Sequence, residues 1–419
     1  MTPWLHIIGF GEGELPPIPP CEVVVGPTRA ISRLTAKPAV GAPLPPAGEG
    51  DHAKHDGGGG RIPDARLVPW HSLKLPDMIA QITALRGTPT VMLASGDPLW
   101  FGMGATLTHH LSPDEFRITP HASSFQYAAA RLRWPLQNVT TLSLHARPAE
   151  LLHPHITPGH RILALTTDAT TAPHVARLLT ERGYGRSVLT ILENLGGPTE
   201  AIASAIAQGF GLTVGEFYVL AIDCVADPGA PLLSPIPGLP DDVFVTDGQL
   251  TKRDIRAATL ARLAPYPGAL LWDVGAGCGS IAIEWMRAAR DAKAIAFERE
   301  GERLQMIAVN ADKLGVPQLR IENGDAPNSL LGMPVPDAVF LGGGISNETL
   351  FHACWAALRS GGRLVANAVT LDGEQALFER QSRLGGELVR IDVATLDTLG
   401  GHRALRPRMP VTQWAVTKP

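Results

Sequence analysis

The stretch "LLWDVGAGCGSIAIEWM", Leu270 to Met286, is an apolar run that ends on an acidic residue, passes three glycines at alternate positions and continues at helical spacing. That order is a strand, a tight turn and a helix, the repeating unit of a doubly wound α/β sheet. The turn reads Gly275-Ala276-Gly277-Cys278-Gly279-Ser280. A dinucleotide turn carries G-x-G-x-x-G. Here the third glycine comes one residue early, and a serine stands where the fingerprint has glycine. Asp273 stands two residues before the first glycine, where a carboxylate repels a pyrophosphate but can accept hydrogen bonds from an ammonium.

Two acidic positions downstream extend the pattern. Glu298 ends the next strand, 19 positions after Gly279, the spacing at which a carboxylate meets ribose hydroxyls. "ENGDAP" puts Asp325 and Ala326 after a third strand, Leu319–Glu322, where an adenine amino group can be met. A plain turn accounts for any one of these residues. The ordered set of Asp273, the three glycines, Glu298 and Asp325 points to a ligand with an amino acid group at one end and an adenosine at the other: S-adenosylmethionine.

Working outward, the 419 residues are too many for a typical single core, so two domains are expected. Hydrophobic residues make up 45% and charged residues 18%, a globular enzyme's balance. No apolar run of about 18 residues predicts a transmembrane helix, and the N-terminus lacks the pattern of a signal peptide. The four cysteines Cys21, Cys224, Cys278 and Cys354 have no CxxC spacing. They argue against a zinc site and for a reducing cytoplasm. A net charge of −4 without a basic tail does not ask for nucleic acid.

Strands are predicted at Leu5–Ile8, Glu22–Val25, Thr90–Ala94, Arg161–Leu165, Val188–Leu192 and Phe217–Ile222 in the first half. In the second half they are predicted at Ala269–Val274, Ala294–Phe297, Ala338–Leu341 and Arg363–Ala366. Between the halves, Ala226–Asp242 is rich in proline and glycine and reads as a linker with few contacts. The expected domains are 1–226 and 243–419, separated by the linker 227–242, each half folding by itself. Thr35–Ala65 is too poor in large apolar residues to bury a core and reads as a disordered insertion. Its "DHAKHD" tract is not preorganised enough to be read as a metal site. Thr251 and Asp254 form a possible capping box before a helix with Ile255, Thr259 and Leu263 on one face. His121 and His145 read as turn histidines, and Trp272 and Trp285 as core.

From about Phe244 onward, "LTKRDIRAATLARL", "LWDVGAGCGSIAIE", "NGDAPNSL", "AVFLGGG" and "GGRLVANAVTL" run in the order of the decarboxylating methyltransferases of cobalamin biosynthesis. The second half resembles that family, with "TKR" and "NAVTL" its more specific elements. The first half resembles the tetrapyrrole methylases through "IIGFGEGE", "LASGDPLWFG", "HASSFQYAAARL" and "LENLGGP". Joined in this order, the halves resemble the decarboxylating C5,15-methyltransferases that act on precorrins.

The resemblance implies an α/β protein. An N-terminal tetrapyrrole-methylase fold of two αβα lobes would precede a C-terminal Rossmann-like class I methyltransferase with a doubly wound sheet. It implies S-adenosylmethionine-dependent methylation of a precorrin at C5 by the first half. It assigns methylation at C15, with decarboxylation of the C12 acetate to give precorrin-8X, to the second. Cofactor-binding residues implied in the first half are Gly9, Gly11, Gly13, Ser95, Gly96, Asp97, Pro98, Ser123 and Ser124. In the second half Thr251, Ala276, Cys278 and Ala326 join the glycines and acids named above. A polycarboxylate substrate asks for cationic clamps, expected at Lys252, Arg253, Arg256, His402 and Arg403, with Arg406 and Arg408 nearby and Asn367 of "NAVTL" beside them. No metal, nucleic acid or membrane partner is expected, and relatives of both halves imply a homo-oligomer. Two other readings remain: a nucleic-acid or protein methyltransferase, and a C-terminal methyltransferase with a catalytically silent N-terminal module.

Overall fold

The computed structural model describes residues 3–13, 15–35, 65–70 and 74–419. The expected insertion, apart from Thr35 and Ala65 at its ends, lies outside the described residues, as does "DHAKHD". Among the described residues no cluster of His, Cys, Asp and Glu could hold a metal, and no helix is long and apolar enough to cross a membrane. The chain forms two compact units that are not divided by a single cut. Residues 1–146, 161–176 and 187–223 make the first, and 147–160, 177–186 and 224–419 the second.

In the first unit, β1 (Leu5–Phe10), β2 (Val23–Gly26), β3 (Arg66–Pro69), β4 (Thr90–Ser95) and β5 (Phe116–Thr119) form a parallel sheet in the order β3-β2-β4-β1-β5. Helices α1 (Thr28–Thr35), α2 (Leu75–Thr83) and α3 (Met103–Leu107) lie along the same stretch of chain. Leu5 and Ile7 of β1 join Met92 and Ile82 on one face, while Ile8 and Phe10 join Leu93 and Ile31 on the other. A parallel sheet covered on both faces needs nearly continuous apolar strands, which is why β1, β2 and β4 stand out in the sequence.

A second sheet follows helix α4 (Ser124–Leu132). It contains β6 (Val139–Ser143), β7 (Arg161–Leu165), β8 (Val188–Glu193), β9 (Ala201–Ile206) and β10 (Tyr218–Asp223), with α5 (Thr171–Glu181) between β7 and β8. The order is β6-β7-β10-β8-β9, and only β6 and β7 are parallel. The loop from Asn194 to Glu200 between β8 and β9 is too short for a parallel crossover, which takes about a dozen residues, so this sheet is mixed.

In the second unit, helix α6 (Arg253–Leu263) precedes β11 (Leu270–Val274), α7 (Ser280–Ala288), β12 (Lys293–Glu298), α8 (Gly301–Leu314), β13 (Arg320–Asn323) and β14 (Ala338–Leu341). Then come α9 (Glu348–Ala357), β15 (Arg363–Ala368), α10 (Leu371–Leu384), β16 (Glu387–Ile391), β17 (Ala394–Leu399), β18 (His402–Pro407) and β19 (Val411–Thr417). The main sheet runs β13-β12-β11-β14-β15-β19-β16, parallel up to β15, with β19 antiparallel to both its neighbours. β17 and β18 pair as a separate hairpin. Strand order reverses at β11, and ligands of such sheets bind at that carboxyl edge. Trp272 and Trp285 lie in the two apolar layers that sandwich this sheet, as expected.

Three expectations change here. The Ala226–Asp242 segment holds no helix or strand before the 3-10 turn Asp241–Val243, but it is not poor in contacts. Leu233 and Leu239 are buried in the core of the second unit, Gly238 N and Leu239 N donate to Glu284, and Arg287 donates to Leu233 O. The Thr251–Asp254 capping box does not form. Helix α6 begins at Arg253 with Lys252 as its uncapped N-cap, so Asp254 sits one position too early for the reciprocal bond. A capping box forms instead at Ser123 and Gln126, ahead of α4.

The third change is Arg256, expected to clamp substrate. It is fully buried, and its Nε donates to Glu284 Oε1 at 2.5 Å. Nη1 donates to Asp241 Oδ1 at 3.0 Å and to Thr251 O, and Nη2 donates to Leu239 O. All of these partners belong to the protein, because the residue sits on the inward face of α6 with Ile255 and Thr259. Glu284→Ala leaves this guanidinium buried without its closest carboxylate, and it should lower stability by about 3–5 kcal/mol. Urea denaturation of the full chain reads this directly. A loss within about 0.5 kcal/mol, the range of an ordinary surface substitution, would show that the pair is no strut.

Candidate cofactor and substrate site

The turn between β11 and α7 is built on backbone that side chains resist. Gly275, Gly277 and Gly279 have φ values of 74°, 60° and 81°, the left-handed region open to glycine. A Cβ on Gly279 would also lie 3.0 Å from Ile307 Cγ2 of α8, so this glycine admits a helix. Gly275 N and Ala276 N donate to Phe297 O, and Glu298 Oε2 accepts from Gly277 N at 2.8 Å. The other Glu298 oxygen accepts from the amides of Arg299 and Glu300.

A cavity of about 1000 Å³ opens over this turn at the carboxyl ends of β11, β12 and β14. Of the residues expected at the site, it is lined by Thr251, Lys252, Gly275, Ala276, Gly277, Cys278, Glu298, Asp325, Ala326 and Asn367. The Asn367 amide is fixed: Nδ2 donates to Thr259 Oγ1 at 3.0 Å, and Oδ1 accepts from Gln413 Nε2 at 2.9 Å. Lys252 and Arg408 also line the cavity, and neither makes an ion pair among the described residues. Arg299 and Arg303 reach Asp325 and Asp247.

Other expected residues sit elsewhere. Asp273 does not face the cavity. It is 1% exposed, and its Oδ2 accepts from Ala282 N at 3.0 Å in the first turn of α7. Burial pushes its carboxyl up to about 7, and the charge of Glu298 adds to the rise against the lowering pull of the Ala282 N–H. It therefore caps α7 from beneath. Arg253 is exposed beside Gly238, outside the cavity lining. His402 and Arg403 lie exposed on the β17–β18 hairpin, whose far end does not reach the cavity.

Sequence reasoning missed Gly342, Gly343 and Gly344, which follow β14 and line the cavity. The rule that placed ligands at strand ends could have found them, since "LGGG" closes an apolar strand. Met409 and Val393, at the base of the hairpin, also line it and carried no signal.

In the first unit, the carboxyl ends of β1 and β4 meet through a Phe10–Gly96 bridge, with Gly96 N donating to Phe10 O at 2.8 Å. Gly9 and Gly11 were expected to admit a ligand, but the nearest atoms belong to the protein. A Cβ on Gly9 would lie 2.5 Å from Gly96 O and 2.7 Å from His121 Cβ, and one on Gly11 would lie 2.8 Å from His121 Cε1. Around Gly13 the space is open, with Gly196 O at 4.0 Å the nearest atom. Arg33 of α1 donates to the carbonyls of Gly11 and Gly13, and Arg29 donates to Glu12 and Ser95. Asp97 accepts from Leu99 N at 2.7 Å, tightening the turn that carries Pro98. Ser123 is buried as the α4 N-cap, while Ser124 beside it is half-buried.

Residues 242–418 match the precorrin methyltransferase domain, and residues 21–208 match the tetrapyrrole (corrin/porphyrin) methylases. The chain is 44% identical over 419 residues to a precorrin-6Y C(5,15)-methyltransferase [decarboxylating] of Sinorhizobium sp, covering 100% of this chain and 97% of that one. It is 41% identical over 338 residues to the protein of the same name from Mycobacterium tuberculosis, covering 79% and 83%. It is also 32% identical over 182 residues to a probable cobalt-precorrin-6B C(15)-methyltransferase (decarboxylating) of Pyrobaculum aerophilum, covering 42% of this chain and 93% of the relative.

The Asp273 carboxyl predicts a pH dependence. In the folded chain it holds a proton up to about 7, whereas the ordinary value is 3.8. The folded state binds the extra proton between these limits, so this group makes stability fall as pH rises through that window. Asp273→Asn keeps an acceptor for Ala282 N and removes the titration. Denaturant midpoints measured across the window should fall less steeply with pH in the variant, and an unchanged slope would assign the effect to another group.

Proposed function

Because the chain belongs to the precorrin-6Y C(5,15)-methyltransferases (decarboxylating), we propose that it methylates a precorrin at C5 and C15 and releases the C12 acetate carboxyl as carbon dioxide. The product is precorrin-8X, an intermediate of cobalamin biosynthesis, and the methyl donor is S-adenosylmethionine. The observation that carries this reading is the match along the whole chain, with a separate family match in each half. We assign C5 to residues 1–226 and C15 with decarboxylation to residues 243–419.

Bound S-adenosylmethionine supplies an electrophilic methyl group. The residues of the second unit fit such a ligand: a cradle of left-handed glycines, a carboxylate beside it and a cavity of about 1000 Å³. Gly275 and Gly277 present backbone that can approach closely, Glu298 can receive ribose hydroxyls, and Asp325 and Ala326 can meet the adenine edge. Substrate carboxylates fall to Lys252 and Arg408, the cavity cations without an ion pair among the described residues. The fixed amide of Asn367 can orient the ring.

A reduced tetrapyrrole is nucleophilic at its meso carbons, so positioning is the protein's main contribution. Orientation of this kind can lower a barrier by up to roughly 7–11 kcal/mol. Loss of carbon dioxide leaves an electron pair that the conjugated ring can take up. Lys252 and Arg408 then need to orient the acetate without over-stabilising it as a carboxylate.

Mass spectrometry of tetrapyrrole products made with an isotope-labelled donor should show two labelled methyl groups and the loss of one carbon dioxide. A product with one methyl group, or a labelled nucleic acid or protein, would overturn the assignment. Calorimetric titration should find two donor sites per chain. Glu298→Gln removes the charge and keeps only one of the two oxygens that accept from the backbone amides of Gly277, Arg299 and Glu300. Charge-assisted hydrogen bonds are worth roughly 1.5–3 kcal/mol each, so the second-unit site should weaken by at least tenfold while the first-unit site is unchanged. Equal weakening at both sites would contradict the placement.

A further inference from the structure

His121 follows β5 by two positions and stands just before the Ser123 cap of α4. The carboxyl ends of β1, β4 and β5 meet around it, the edge at which open α/β sheets take ligands. Two glycines make room for this one residue, Gly9 for its backbone and Cβ and Gly11 for its ring. The ring lies 6.5 Å from that of Tyr127. His121 Nδ1 is 2.8 Å from Ala122 O. A carbonyl only accepts, so Nδ1 carries the hydrogen and the neutral ring presents a lone pair at Nε2. No group among the described residues bonds to Nε2. The neighbouring carboxylates are engaged: Glu12 with Arg29 at 2.6 Å, and Asp97 with Leu99 N at 2.7 Å.

We propose that His121 Nε2 is the proton acceptor for methylation in the first unit, an inference that rests on the assignment of one methylation to that unit. When a methyl group adds to a meso carbon, the new C–C bond uses an electron pair of the ring, which is left cationic. The C–H bond at that carbon then breaks, its pair returns to the ring, and the proton passes to Nε2 and on to solvent. Because Ala122 O fixes the tautomer, the acceptor is set before substrate arrives. The glycines at 9 and 11 hold the ring at the strand ends, where larger residues would displace it.

The test uses the full chain and a reduced precorrin in deuterated water without methyl donor, reading hydrogen–deuterium exchange at C5 by mass spectrometry. His121→Asn keeps an N–H for Ala122 O but has no basic nitrogen. Exchange and C5 methylation should both fall by about a hundred- to ten-thousand-fold, the range of general base catalysis. Donor binding at the first unit should stay within threefold, and C15 methylation should be unchanged. In His121→Ala, added imidazole should restore exchange at least tenfold. Absence of exchange in the unaltered protein, undiminished exchange in His121→Asn, or failed rescue by imidazole overturns the proposal. Exchange that depends on His121 in a protein that adds no methyl group at C5 would instead leave the proton role standing and sink the assignment of that methylation.

Discussion

The turn that carries the cavity is held by two buried carboxylates from below. Asp273 receives the first-turn amide of α7, and Glu298 receives Gly277 N from the neighbouring strand end. Without these acceptors, Gly277 N in the left-handed turn and the buried Ala282 N in the first turn of α7 would lose their partners, at a cost of about 1–3 kcal/mol for a buried amide. The arrangement carries its own cost. Two acids share a nearly dry space, and burial together with the nearby Glu298 charge drives the Asp273 carboxyl well above its ordinary range. The glycines let the turn exist, and the acids keep it in one shape.

A second buried pair sets how the cavity is walled. Arg256 and Glu284 join α6 to α7, and through Leu239 O, Gly238 N and Leu239 N they also bind the Ala226–Asp242 strap to the second unit. Charge that looks available in sequence is thereby consumed inside the protein. The cavity cations without an ion pair among the described residues are Lys252 at the start of α6 and Arg408 at the base of the hairpin, on separate elements.

The two units use glycine for different physical ends. In the second, positive φ is the requirement, since no side chain sits comfortably in that backbone. In the first, Gly9 and Gly11 lack the left-handed φ of Gly275 and Gly277, and space is the requirement, because His121 occupies the volume a Cβ would claim. A glycine-rich motif read as a ligand cradle is thus, at these two positions, a seat for a side chain more than a hundred residues further along the chain.

Much of the architecture could be read from the chain because local signals and global fold agree. The strands buried on both faces, such as β1, β4, β11 and β14, are continuous apolar runs, and the glycine turn and Glu298 lie at strand ends that the pattern places together. Among the strands that escaped notice, β5, β9 and the group β16–β18 are short or largely exposed, so no apolar run marks them, whereas β19 is buried but interrupts its apolar residues with Thr412 and Gln413. The sequence by itself determined the α/β layering and the position of the β11–α7 turn, because periodicity and turn chemistry are local, while the pairing of two methyltransferase-like halves came from the resemblance of its motifs to known families. Only the tertiary structure decided that Asp273 and Arg256 face inward, that His402 and Arg403 stand away from the cavity, and that Lys252, Asn367 and Arg408 converge on it. Burial depends on which distant elements cover a residue, and no spacing along one strand or helix carries that information.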